Sequence, residues 1–326
     1  MEKIGITTTI PVEVIYASQN VAVDLNNIFI TAGEPGKMVR EAELAGLPRN
    51  LCSWVKGIYS AILQNPDIKT VVAVTEGDCS NTLAMLNLLK NQGIKIINFS
   101  YPYQRNPVEL NHSIEQLESI FGVKRRETEE WRVKLDRIRK KALEIDRLSW
   151  EENRITGMEN HLALISCSDF EQDPDKYGEK LDQLLEEARK REPFSQKTRL
   201  GFCGVPPIFS DFYSTLEKLD TRIVFNEMQR QFAMPGKSEN VVEQYLSYTY
   251  PYSYEMRIKD INQQIKKRRI EGMIHYIQSF CHHQIYDNSL KQAVSTPVLT
   301  LEGDKPEELR ERTRIRLESF LEMLKL

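Results

Sequence analysis

Short apolar, β-branched runs alternate with helix-type runs along this chain. The junction "VVAVTEGDCSNTLAML", Val71 to Leu86, is the sharpest of them. Its first residues have the length and composition of a buried strand, and Ser80 opens a run of helical period. A strand that hands over to a helix within a few residues builds the parallel β-α-β unit, so the fold class expected is α/β. The junction also places one thiol, Cys79, between strand and helix, flanked by Glu76 and Asp78.

The same rhythm recurs in both halves. In the first, the expected strands are "KIGITTT", "NNIFITA", "TVVAVTEG" and "IKIINFSYP". The helix "LCSWVKGIYSAILQN" precedes the third strand, and "NTLAMLNLLKNQG" follows it, closed by Gly93. From about Asn111 to Lys190 the pattern is helical throughout. There "RRETEEWRVKLDRIRKKALEIDRLSW" carries apolar residues on one face and charges, read as a solvated face, on the other. Proline and polar residues in "REPFSQK" (Arg191 to Lys197) mark a boundary. A second set of strands follows in "TRLGFCG", "TRIVFNE", "GMIHYIQSF" and "TPVLTLEGD", and the helix "PEELRERTRIRLESFLEMLKL" closes the chain. The architecture expected is two Rossmann-like domains, with parallel sheets facing a central cleft, plus a helical middle segment. The divisions are 1–110, 111–195 with the linker, and 196–326 with the final helix.

At 326 residues the chain has enough length for two cores. It carries 47 acidic against 44 basic residues, a balance that argues against bulk nucleic-acid binding. No stretch approaches the length of a membrane span. The opening "MEKIGITTTIPVEVI" has no basic segment followed by a long apolar run, so a cytoplasmic protein with neither nucleic acid nor membrane as partner is expected.

Five cysteines, Cys52, Cys79, Cys167, Cys203 and Cys281, are spread along the chain without a CxxC pair. An odd, scattered set in a reducing compartment argues against a disulfide framework. In open α/β sheets, ligands bind outside the carboxyl ends of the strands. Cys79, Cys203 and Cys281 each follow an expected strand, and Cys52 opens an expected helix, where free backbone N–H groups favour a thiolate. Thiolates gathered at the mouths of two facing sheets suit a soft-metal or iron–sulfur site. Each could also pack as a small hydrophobe, which is the reading for Cys167 in "HLALISCSDF".

Other residues carry weaker signals. His282 and His283 in "CHHQ" are adjacent, cannot both face one metal from a regular element, and read as exposed or capping. "GFCGVPP" has two glycines but no nucleotide-binding fingerprint. The run "YLSYTYPYSY" reads as packing over the second domain, with ligand stacking as the alternative. Asp78 is expected to cap the helix opening near Ser80, which leaves Glu227, at the end of "TRIVFNE", as the candidate proton donor.

The segments "LPRNLCSWVKGIY", "VTEGDCSNTLAML", "TRLGFCGVPP", "RIVFNE", "HYIQSFC" and "TPVLTLEGDKPEELRERTRIRLESFLEML" together resemble the iron–sulfur subunits of the 2-hydroxyacyl-CoA dehydratase and benzoyl-CoA reductase family. The resemblance spans most of the chain and is weakest in the middle helices. It implies a [4Fe–4S] cluster in the cleft, held by residues matching Cys52, Cys79 and Cys281; Cys203, by its place after a strand, is either a fourth ligand or a small residue packed in the turn beside Gly204. It also implies an ATP-dependent iron–sulfur activator protein as electron donor, and an acyl-CoA or other small molecule reduced at an open iron. A homodimer or a pair with a related subunit is expected on the same ground. A branch of the family holds a double-cubane [8Fe–9S] cluster, for which the five cysteines here are one short of six. A non-catalytic iron–sulfur carrier or assembly protein, and a thiol-dependent or metal-free α/β enzyme, stay open as alternatives.

Overall fold

The structure is a computed structural model and describes residues 1–326. Eight strands form: β1 (Lys3–Ile6), β2 (Val21–Asp24), β3 (Ile68–Glu76), β4 (Lys95–Ser100), β5 (Thr198–Gly204), β6 (Thr221–Asn226), β7 (Gly272–Gln278) and β8 (Val298–Gly303). They build two four-stranded sheets, ordered β2-β1-β3-β4 and β6-β5-β7-β8, and every pairing is parallel. The second order repeats the first, so each half is a Rossmann-like lobe with the same switch between its two central strands. Helices flank both sheets, which is why a strand such as β7 is buried along its whole length.

One expected strand is a helix. "NNIFITA" falls in the helix Leu25–Thr31, and the second strand is the four-residue "VAVD" just before it. Asp24 accepts the N–H of Asn26 at 2.9 Å and caps that helix, and Leu25 and Phe29, four apart, face the core. The β-branched composition of the stretch is overridden by this cap and by packing. Phe29 lies against the helix Ser53–Gln64, where a Cβ on Gly57 would come within 2.2 Å of its ring. Glycine is the residue that allows this close approach.

One core joins the two lobes. It runs from Val23, Phe29, Trp54 and Val71 in the first half to Phe202, Ile274 and Phe320 in the second. On the opposite face of the first sheet, Ile4, Ile6 and Val72 pack against the helices Pro107–Phe121, Arg125–Trp150 and Pro174–Lys190. The long helix Arg125–Trp150 turns Leu135, Ile138, Ala142 and Ile145 inward, as its amphipathic pattern requires. Two of its charges depart from the solvated-face expectation. Arg139 pairs with Glu13 at 2.8 Å and Asp146 with Arg268 at 2.5 Å, all four side chains being buried.

The tyrosine run also departs from expectation. Tyr245, Tyr248 and Tyr252 pack into the core of the first lobe rather than over the second. Tyr245 Oη donates to Ile10 O at 2.7 Å and to Glu13 Oε2 at 2.8 Å, tying this segment across the lobes. No helix is long and apolar enough to cross a membrane.

Candidate functional site

The carboxyl ends of both sheets open on one cavity of about 130 Å³. Thr7 and Thr8 follow β1, Asp24 ends β2, Asp78 and Cys79 follow β3, Val205 and Pro206 follow β5, and Gln278 ends β7. The cavity therefore lies at the switch point of each lobe, where this class of sheet leaves a crevice. Cys52, Cys79 and Cys281 all line it.

Each of the three thiols sits at the first position of a helical turn. Cys52 precedes the helix Ser53–Gln64, Cys79 the helix Ser80–Asn91, and Cys281 the 3₁₀ turn His282–Tyr286. Helix starts leave backbone N–H groups without partners, and at Cys79 one of them turns to sulfur. Asn81 N–H donates to Cys79 Sγ at 3.4 Å. The N–H groups of Trp54 and Val55 lie near Cys52 and that of His283 near Cys281, but neither thiol accepts a cap hydrogen bond. Such groups stabilise negative charge on sulfur, yet burial dominates at two of the sites. It pushes the Cys52 thiol up to about 12 and raises that of Cys281, and the neighbouring thiols add to both. The expectation that Cys52 is a ready thiolate thus fails in the metal-free chain, because desolvation outweighs the nearby N–H groups. A bound cation would reverse the balance.

No three His, Cys, Asp or Glu side chains close around one point as they would for a single metal ion. A cluster does not require that closure, because each thiolate binds a different iron. Three half-buried thiols at the starts of helical turns are a donor set that fits such a group.

Cys203 lies elsewhere. β5 continues through Gly204, so Cys203 is inside the strand and not beyond its end. Alternation sends Phe202 to the shared core and Cys203 to the other face, among Val224, Phe225 and Met273. Its thiol is fully buried, contacts Ile274 O at 3.6 Å, and is pushed far up by burial. Cys167 is likewise buried, in the core beside the first sheet.

Glu227 also lies off the cavity. It is the first residue of the helix Glu227–Phe232, and its carboxylate is gripped by Arg257, Nε to Oε1 at 2.6 Å and Nη2 to Oε2 at 2.8 Å. With both oxygens engaged it anchors that helix and is poorly disposed to donate a proton. Asp78 is not the helix cap, since Cys79 takes that position. Its carboxyl faces the cavity, and burial raises it to about 6.

The cavity holds groups that sequence reasoning passed over. Asp24, Asn26 and Asn27 enter it from the start of the unexpected helix, and Tyr250 from the tyrosine run. His283, read as exposed or capping, lines the cavity with Nε2 3.3 Å from Tyr250 Oη. Gln278 is fixed between Tyr276 Oη at 3.0 Å and Asp304 O at 2.7 Å. Trp54, Ile58, Met228 and Phe232 give the cavity an apolar wall.

A model of the family described as 2-hydroxyglutaryl-CoA dehydratase, D-component, matches residues 7–324. That span holds all five cysteines and every strand except β1. No curated protein matches the chain. With nearly its whole length matched, the chain belongs to the enzyme family of the 2-hydroxyglutaryl-CoA dehydratase D-component.

Proposed function

We propose that this chain is the iron–sulfur catalytic component of an ATP-dependent, low-potential reductase or dehydratase, with one [4Fe–4S] cluster held by Cys52, Cys79 and Cys281. The observation that carries the reading is their convergence, from both lobes, on the walls of one cavity. Family membership supports the same chemistry. A cluster held by these three thiolates would supply low-potential electron transfer next to a substrate. The chain's own part would be to hold the group through Cys52, Cys79 and Cys281, to donate the Asn81 N–H to the Cys79 sulfur, and to exclude water with Trp54, Met228 and Phe232.

In this reading residues 1–110 and 196–326 are the two cluster-holding domains, and 111–195 braces the first of them. Cys203 and Cys167 are packing residues, which favours one cubane per chain over a double cubane. The electron donor is a separate iron–sulfur ATPase. The substrate is an acyl-CoA or another small molecule, and the working unit is a homodimer or a pair with a related subunit. Anaerobic reconstitution followed by iron and acid-labile sulfide analysis tests the reading. About four irons and four sulfides per chain are expected, and a colourless, iron-free protein would contradict it.

A further inference from the structure

Six acidic side chains are buried: Glu13, Asp24, Glu118, Asp146, Asp169 and Glu227. Four of them lie against an arginine, namely Arg139, Arg125, Arg268 and Arg257 respectively. Asp24 and Asp169 have no such partner, and they lie against each other. The backbone N–H of Asp24 donates to Asp169 Oδ2 at 2.8 Å, and the Ser168 hydroxyl lies close enough to the Asp24 carboxyl to favour its charged form. Asn27 Nδ2 bridges Ser168 Oγ at 3.2 Å and Asp169 Oδ1 at 3.4 Å. Two buried carboxyls without a cation cannot both hold a charge cheaply, so the arrangement favours one proton between them.

Their position gives the pair a use. Asp24 and Asn27 line the cysteine cavity and also a second cavity of about 400 Å³. Asp169 lines the second cavity, whose rim includes the exposed Glu171, Gln172 and Lys180. The turn holding Asp169 is strained, because Phe170, Glu171 and Gln172 are three successive non-glycine residues at φ of 53°, 51° and 68°. Strain of that kind persists where the surroundings enforce it, and it is concentrated at functional sites.

We propose that Asp24 and Asp169 share one proton and relay it from the solvent-facing cavity to the cysteine-lined cavity. The inference rests on the reading of the cysteine-lined cavity as the reducing site. Water in the outer cavity protonates Asp169 when the pair has given up its proton. The proton passes directly to Asp24, whose backbone N–H holds the Asp169 carboxyl beside it, while Asn27 Nδ2, which only donates, orients Ser168 and Asp169. Asp24 then gives it to the substrate oxygen or carbon that takes up the electron, or to the hydroxide that leaves as water. The electron comes from the reductant partner, so each cycle returns the pair to its singly protonated form.

Burial raises both carboxyls, Asp169 to about 7 with the Asp24 charge adding to it, so the pair holds its proton up to the neutral range. The other titratable or charged groups that face it are Glu13 with Arg139, Tyr16, His161, Glu171 with Lys180, and Asp173. The outer cavity's His161 is held neutral by burial, which pushes it down to about 4.

Two measurements on wild type, Asp24→Asn and Asp169→Asn test the relay. Both substitutions are isosteric and remove a costly buried charge, so folding is expected to survive. In metal-free protein, carboxyl-carbon NMR should show Asp169 titrating near neutrality. In Asp24→Asn that titration should move down by more than one pH unit, and an unmoved titration would overturn proton sharing. In reconstituted protein, flash photoreduction with a pH indicator should give equal cluster bleaching in all three. Proton uptake should be at least tenfold slower in either variant, and wild-type uptake rates in both would overturn the relay. Failure of the wild type to take up iron would contradict the cluster reading instead, while the NMR result still decides proton sharing.

Discussion

Glu227 and Arg257 form a two-point ion pair with under a tenth of either side chain exposed, at 2.6 and 2.8 Å. The pair joins the helix that follows β6 to the helix Tyr254–Arg268, and Glu227 Oε2 also accepts the N–H of Gly204 at 3.3 Å. Removing one member of a buried pair strands the other charge, at a cost of about 3–5 kcal/mol. Glu227→Gln is therefore expected to lower stability by that order, read as a shifted urea midpoint. Its iron content after reconstitution should equal that of the wild type.

Gly204 ends β5 at φ +101°, and a Cβ there would lie 2.0 Å from Tyr276 O on the neighbouring β7. A left-handed alanine costs about 1–2 kcal/mol, and overpacking adds about 1–3 kcal/mol. Gly204→Ala is expected to destabilise the second lobe by about 2–5 kcal/mol in chemical denaturation. Hydrogen exchange should localise the loss to β5 and β7.

The Asp24–Asp169 pair makes stability depend on pH in a defined direction. Its pKa values are raised in the folded chain, so between about 4 and about 7 the native state holds more protons than the unfolded one. Stability from this source is full below that window and falls as pH rises through it. His161, lowered to about 4, works in the opposite sense between about 4 and 6.5. The informative quantity is thus the difference from Asp169→Asn. The variant should gain on the order of 2–4 kcal/mol relative to wild type on going from pH 4 to pH 8.

Tyr245 fixes the tyrosine segment to the first lobe through Ile10 and Glu13. A hydrogen bond to a charged group is worth about 1.5–3 kcal/mol, and Tyr245→Phe removes it while keeping the ring. Faster hydrogen exchange across residues 241–254 is expected, with that loss in global stability. Because Tyr250 of this segment walls the cysteine cavity, reconstituted variants should also lose iron to chelators faster.

The parallel α/β design was legible because strand length, β-branching and helical period agree over most elements, as they do around Cys79. The second strand was not. "VAVD" is four residues long, and the apolar "NNIFITA" beside it is the more strand-like stretch until the Asp24 cap is seen. Missing that strand hid Asp24, and its partner Asp169 stands 145 positions away, a separation that no local pattern reports. Cys203 shows a finer limit. Shifting a strand end by two residues changes a thiol at the crevice into one on the buried face. Glu227 looked free because Arg257, which engages it, lies thirty residues on, in another helix.

The most direct test is iron and sulfide content, measured after anaerobic reconstitution, in the five single cysteine-to-alanine variants. Cys52→Ala, Cys79→Ala and Cys281→Ala should each lose more than half of the roughly four irons of the wild type. Cys167→Ala and Cys203→Ala should keep them, since those thiols lie in the cores. Iron content unchanged by Cys52→Ala, Cys79→Ala and Cys281→Ala, or lost only with Cys167 and Cys203, would contradict the assignment of the cavity.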